Sequence, residues 1–182
     1  LMKNKITLRE HLEKLDQNST ASKEQMESLC RRMALKFREY GYVKSSYNQE
    51  LMMEYVNMIF ETQDYRCTHW LPVSKGELNG IWNRPQPKYR GWRADYVMYE
   101  IDHVHPVNSG GGDEITNYQF LSANANQFTK CSLTYDDLLR RVDLSDSLKD
   151  RIRVVLKKRE ALFQSPKWAN FIKKLNQCEK GA

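Results

Sequence analysis

The apolar positions of this chain follow a helical period in its first third, a strand-like one in its middle and a helical one again in its last third. Met26, Leu29, Cys30, Met33 and Phe37 recur on one helical face, as do Leu51, Met52, Tyr55, Val56, Ile59 and Phe60. That spacing predicts amphipathic helices with these residues in a core. Three capping boxes, Thr7-Leu-Arg-Glu10, Ser22-Lys-Glu-Gln25 and Ser46-Tyr-Asn-Gln49, supply side chains for the orphan N–H groups of a helix start. Helices are therefore expected near 8–17, 23–40 and 47–63, the second stopped by Gly41. From 67 to 98, Pro72, Gly76, Gly80, Pro85, Pro87 and Gly91 break any helix. Tyr96 to Val104 then reads as a strand and Tyr118 to Leu121 as a second. The glycine-rich stretch Ser109 to Gly112 between them lets the chain reverse at little steric cost. Ser122 is placed to cap a helix that can start there and run towards Lys130. Thr134-Tyr-Asp-Asp137 caps a short helix to about 142, and Asp143 to Ser145 opens one over 146–163 with Ile152, Val155, Leu156 and Leu162 apolar. Ser165-Pro166 starts a last helix over 166–177, with Trp168, Phe171, Ile172 and Leu175 inward.

The fold class this pattern predicts is α+β, a short antiparallel hairpin and helix flanked by N- and C-terminal helices. Three regions follow: 1–46 helical, 47–132 around the hairpin, and 133–182 helical and basic. A hydrophobic fraction of 40% and an aromatic fraction of 11% suit a folded protein. No window holds the roughly 18 apolar residues of a membrane span and no signal-peptide core opens the chain, so a soluble intracellular protein is expected. Cys30, Cys67, Cys131 and Cys178 are scattered and form no redox motif. The net charge of +6 suits a polyanionic partner without requiring one.

Candidate chemistry concentrates between Tyr99 and Lys130. The imidazole of His103 can take a proton from water near neutral pH. Asp102 and Asn126 offer hard oxygen donors of the kind Mg²⁺ accepts while keeping several waters. Together they suit hydrolysis of a phosphodiester. Adjacent side chains on a flat strand point to opposite faces, so Asp102 and His103 share one site only where the strand ends or bends. Pro106 and the glycines just beyond provide for that.

These residues resemble the HNH nucleases of the ββα-metal superfamily. The pattern reads Asp102-His103-Val104-His105-Pro106, Gly110-Gly111, Asn117-Tyr-Gln-Phe-Leu121, Asn126 and Lys130. The spacing from Asn117 to Asn126 is that of the HNH domain of CRISPR effector nucleases. The resemblance covers roughly 50–132 and is specific from 99 to 130. It implies a ββα-metal module and a metal-dependent endonuclease in which Asp102 and Asn126 hold one Mg²⁺ and His103 is the general base. Asn117 would orient His103, and Lys130 would sit near the phosphates. Mn²⁺ is expected to substitute for Mg²⁺. Many members carry a structural zinc on two Cys-x-x-Cys pairs. Here the first survives only as Cys67-Thr-His-Trp70 and the second is Ser122-Ala-Asn-Ala125, so no structural zinc is expected.

Duplex DNA is the partner the resemblance implies, with a homodimer needed if both strands are cut in one event. Around the aromatics Trp70, Trp82, Tyr89 and Trp92 lie Lys75, Arg84, Lys88, Arg90 and Arg93. Arg84, Lys88, Arg90 and Arg93 are candidate DNA contacts, and the rings either stack on nucleic acid or fill the space a zinc ribbon would occupy. His105 is a candidate DNA contact or a supporting group. Glu100 shares strand parity with Asp102 and is a possible further metal group, while Asn124 is expected to be structural. The basic residues of 149–174 either clamp duplex DNA or form a solvated face. Restriction and homing or phage-type roles both remain open. The readings set against a DNA endonuclease are an inactive nucleic-acid-binding module of the same fold and an RNA-directed nuclease.

Overall fold

The computed structural model describes residues 16–43, 48–70, 97–123 and 125–180. The expected helix over 8–17 lies largely outside them, with residues 16–18 helical at its end. Arg84, Lys88, Arg90, Arg93, Trp82, Tyr89, Trp92 and Asn124 also lie outside the described residues.

Helix α1 spans Lys23–Glu39, and its capping box forms as the sequence predicts. Ser22 Oγ accepts from Gln25 N at 3.2 Å, while Ser22 N donates to Gln25 Oε1 at 2.7 Å. Gly41, at φ +79°, turns the chain out of the helix so that Tyr42 N reaches Phe37 O at 2.7 Å. Helix α2 spans Gln49–Thr62 and starts two residues later than expected. Its cap is Asn48, whose Oδ1 accepts from Leu51 N at 3.0 Å. Asn caps at least as well as Ser, and Asn48 stands immediately before the first helical residue.

Strands β1 (Tyr99–His103) and β2 (Tyr118–Ser122) pair antiparallel, with Tyr99 opposite Ser122 and His103 opposite Tyr118. After β2, residues Ala125–Lys130 form a π-helical turn rather than an α-helix. Ser122 does act at its start, its Oγ accepting from Ala125 N at 3.1 Å. The wider winding closes through Cys131 N to Asn126 O at 2.8 Å, and Cys131 leaves it at φ +47°. Helices α3 (Tyr135–Leu139), α4 (Asp146–Phe163) and α5 (Pro166–Lys180) complete the order. Among the described residues the fold is mixed helix and strand with one two-stranded hairpin, in agreement with the α+β class. No helix among the described residues is long and apolar enough to cross a membrane.

A continuous buried cluster runs from Met26 through the hairpin to Leu175. At its centre Phe60 of α2 meets Phe120 of β2 at 4.8 Å and Tyr99 of β1 at 5.2 Å between ring centroids. Phe171 of α5 lies 5.8 Å from Tyr55 of α2. Each such side chain contributes about 1.5–3 kcal/mol on burial, so the flanking helices seat one face of the hairpin. A smaller cluster of Tyr135, Leu138, Leu144, Leu148 and Ile152 lies elsewhere, with Val104 packed against it.

The basic residues of α4 and α5 belong mainly to the fold. Arg151 Nη2 donates to Gln63 O and Cys67 O, both at 2.8 Å. Lys158 pairs with Asp64 at 2.9 Å, Lys167 with Glu61 at 2.9 Å and Lys174 with Glu54 at 3.1 Å. Arg159 is only 4% exposed and donates to Thr116 O. Arg151 and Lys158 hold α4 to the segment after α2, Arg159 holds it to the loop before β2, and Lys167 and Lys174 pair α5 with α2.

Candidate active site at the end of the hairpin

Strand alternation sorts the candidate residues onto two faces. Glu100, Asp102, Gln119 and Leu121 leave one face of the hairpin, while Tyr99, Ile101, His103, Tyr118 and Phe120 leave the other. Because β1 ends at His103 and His103 still pairs with Tyr118, the Asp102 and His103 side chains diverge across the last rung.

On the Asp102 face, Oδ2 accepts from Gln119 Nε2 at 2.9 Å and lies 3.0 Å from Lys130 Nζ. Lys130 also donates to His103 O at 2.7 Å. Expected beside phosphates, Lys130 is instead fully buried, because the π-helical turn winds it back beneath the strand. Gln119 continues the network to Tyr135 Oη at 2.7 Å and accepts from Thr68 Oγ1 at 3.1 Å. His69 Nδ1 lies 3.3 Å from the same tyrosine hydroxyl. Asn126 turns to Glu100 rather than to Asp102: its Nδ2 donates to Glu100 Oε2 at 2.7 Å, and Gln127 Nε2 donates to Oε1 at 2.6 Å.

On the other face, His103 Nε2 lies 2.7 Å from Asp113 Oδ1, which also accepts from Tyr118 Oη at 2.8 Å. Burial pushes the Asp113 carboxyl up, but hydrogen bonds from His103, Tyr118 and Tyr40 outweigh it and hold the group below its usual range. Asn117 does not touch the His103 ring. Its Oδ1 accepts from His105 N, and its Nδ2 donates to His105 O and Gly112 O. An amide with two donors and an acceptor is spent closing the loop, so the ring's partner is Asp113. His105 likewise folds onto its own loop, Nε2 lying 2.8 Å from Ser109 O. The loop needs glycine at Gly111, where a Cβ would fall 1.9 Å from His105 O.

Sequence reasoning missed Asp113 and Gln119. The sequence signal was that Asp113 is the first acid after the glycine run, whereas the place of Gln119 opposite Asp102 needed the register of the hairpin.

Around Cys67 and Ser122, polar side chains pack on one another. Cys67 Sγ accepts from Ser122 N at 3.2 Å, and Ser122 Oγ donates to Asp16 Oδ2 at 2.9 Å. Burial pushes the Cys67 thiol up to about 12, so it is neutral at physiological pH. Burial also raises the Asp16 carboxyl to about 7 against the opposing Ser122 hydrogen bond. It lowers His69 to about 3, with the Lys130 charge acting the same way. These shifts make opposite contributions to stability. Between about pH 4 and pH 7 the unfolded chain loses the Asp16 proton while the fold keeps it, so that contribution falls as pH rises. Between pH 6.5 and about 3 the unfolded chain protonates His69 while the fold does not, so that contribution falls as pH falls. Asp16→Asn should therefore give a Tm that rises more steeply than wild type from pH 4 to 6.5, and His69→Gln one that rises less or falls. Parallel Tm profiles for all three proteins in calorimetry would refute the assignment.

The donor chemistry of the Asp102 face suits a hard divalent cation: Asp102 and Glu100 alternate on β1, and Asn126 adds an amide oxygen. Among the described residues no three His, Cys, Asp or Glu side chains converge as a metal cage. A metal there would keep several waters, as Mg²⁺ does, and would meet the Lys130 ammonium already at Asp102. Beside β1 a groove of about 600 Å³ is bordered by Arg32, Lys36 and Glu39 of α1 and by Glu100 and Ile101. Compared with protein-family models, with curated proteins and with solved structures, the chain matches none of them.

Proposed function

We propose that this chain is a metal-dependent endonuclease of HNH type that hydrolyses phosphodiester bonds of duplex DNA. One observation carries the reading: segments distant in sequence meet at the end of one hairpin. The Asp102-His103 pair stands on β1, Lys130 reaches both Asp102 and the His103 carbonyl, and Asn126 reaches Glu100 two residues along the strand. Asp102 and Asn126, with Glu100 beside them, are the residues that would hold Mg²⁺. The chemistry such an ion supplies when bound is stabilisation of charge on the scissile phosphate and the leaving oxygen. His103, at the strand end but on the opposite face of β1 from Asp102, is the group proposed to take the proton of the attacking water. The groove is bordered by Arg32 and Lys36 but also by Glu39 and Glu100, so the charge support for a polyanionic partner is the net charge of +6.

Supercoiled plasmid incubated with the protein should convert to open circle in Mg²⁺ or Mn²⁺ and remain intact in EDTA. One site cuts one strand, so linear product should appear only later or with dimerisation. Conversion that persists in EDTA would refute metal dependence.

A second reading has its own support. The Asp102 carboxylate already carries an ammonium and an amide on Oδ2, and His103 leaves the opposite face of the strand. Those features suit a nucleic-acid-binding module of the same fold without catalysis. Retarded plasmid with no conversion under any metal would select it, and cleavage of RNA but not duplex DNA would make the enzyme an RNA-directed nuclease.

A further inference from the structure

We infer that Asp113 is the positioning residue of His103, fixing its ring in the Nε2–H tautomer and leaving Nδ1 as the nitrogen that accepts a proton. This rests on the reading of His103 as the base of a hydrolase, but the tautomer itself can be observed without any reaction.

The argument begins with what each atom can do. Asp113 Oδ1 receives His103 Nε2 at 2.7 Å and Tyr118 Oη at 2.8 Å. A carboxylate only accepts, and a tyrosine hydroxyl at neutral pH has one proton to give. Both neighbours must therefore donate to this oxygen, which puts the imidazole proton on Nε2. In neutral imidazole the other nitrogen then carries the lone pair. Among the described residues no partner engages Nδ1, and the side chain keeps 23% of its surface exposed.

The carboxylate is also held firmly enough to direct a ring. Asp113 O accepts from Tyr42 Oη at 2.9 Å, and the Tyr118 Oη that donates to Oδ1 lies 3.3 Å from the same carbonyl. Two residues on, Ile115 O accepts from the buried Tyr55 hydroxyl at 2.6 Å, and Asn117 ties the preceding Gly112 O at 2.8 Å. The loop is thus pinned by tyrosines from α2 and from the exit of α1 as well as by the hairpin. Tyr118, opposite His103 in the register, lies 5.3 Å from it between ring centroids and limits its swing. Charged groups beside this assembly include Lys36, whose Nζ lies 5.6 Å from the Tyr118 ring, Lys130 on the His103 carbonyl, and Glu114, which follows Asp113 and acts on Tyr42.

Asp113→Ala is the informative change. His103 Nε2 and Tyr118 Oη meet the same oxygen of Asp113, so an amide oxygen in its place would still accept from both, whereas alanine removes it. The ring then loses the bond that fixes its tautomer. Where wild type cleaves, kcat should fall by about 10²- to 10⁴-fold, the usual contribution of general-base catalysis, with KM unchanged. Asp113→Glu should recover part of kcat, and a merely structural carboxylate would not produce that split. In parallel, ring ¹⁵N chemical shifts of His103 in the labelled protein at a pH where imidazole is neutral should report Nε2–H in wild type. They should report loss of that state in Asp113→Ala, with the remaining spectrum unchanged as the control for folding. Wild-type kcat in Asp113→Ala, or an Nδ1–H ring in the wild-type protein, would overturn the proposal. If the wild type cleaves nothing, the hydrolase reading fails, and the ¹⁵N shifts alone still decide for or against the assignment of Asp113.

Discussion

Replacing His103 by alanine is expected to slow plasmid nicking by about 10²- to 10⁴-fold while leaving affinity for duplex DNA unchanged. The size follows from the proposed role of His103 as the group that accepts the proton of the attacking water. The sparing of affinity follows from where the ring sits: its Nε2 is committed to Asp113, and the groove cations Arg32 and Lys36 are on α1. Folding should survive, because Asp113 keeps its bonds to Tyr118 and Tyr42 when the ring is gone. Single-turnover nicking rates and fluorescence anisotropy on the same duplex separate the two effects. Wild-type cleavage by the variant would place the base elsewhere. Parallel loss of binding and cleavage would make His103 a DNA contact and not a base.

Local chemistry was legible in the sequence because its partners lie three residues apart. Ser22 with Gln25 and Thr134 with Asp137 both form the reciprocal caps that their spacing announces. The stripes on α1 and α2 also became core as their period requires. The helix expected after Ser122 failed in form, since six residues cannot distinguish a winding of i to i+4 from one of i to i+5. Only Cys131 at positive φ and the backing of Asn126 and Lys130 against β1 select the wider turn. The basic residues after 149 were illegible for a different reason. Arg151 and Arg159 read as surface charge along the chain, yet their roles depend on carbonyls of Gln63, Cys67 and Thr116, far away in sequence. Pro106 and the glycines were expected to bend the strand end so that Asp102 and His103 share one site, but His103 stays paired with Tyr118 and the two side chains diverge, which makes the partner on each face the quantity that matters. Those partners, Gln119 with Lys130 on one side and Asp113 on the other, required the register of the hairpin and the path of the loop.

Lys130→Met is expected to destabilise the fold by about 3–5 kcal/mol, the usual result of removing one member of a buried ion pair. Methionine has nearly the reach of lysine and fills the same space, so the loss is electrostatic and not a cavity. In the wild type the ammonium has three directions to satisfy: it meets Asp102 Oδ2 at 3.0 Å, His103 O at 2.7 Å and the face of Tyr135 at 5.4 Å from the ring centre. Without it, Asp102, only 8% exposed, keeps a single amide donor from Gln119 for its charge. Denaturant unfolding of Lys130→Met, Asp102→Asn and the double variant measures the pairing directly, because the double variant should be more stable than Lys130→Met alone. The same set discriminates between the two functional readings. A carboxylate that holds a divalent cation should regain stability from Mg²⁺ once the competing ammonium is gone, by an amount that grows with the logarithm of metal concentration. Asp102→Asn should abolish that gain. If Lys130→Met unfolds at the same denaturant concentration with Mg²⁺ and with EDTA, Asp102 is a structural ion-pair residue, and the binding module becomes the better account of the site.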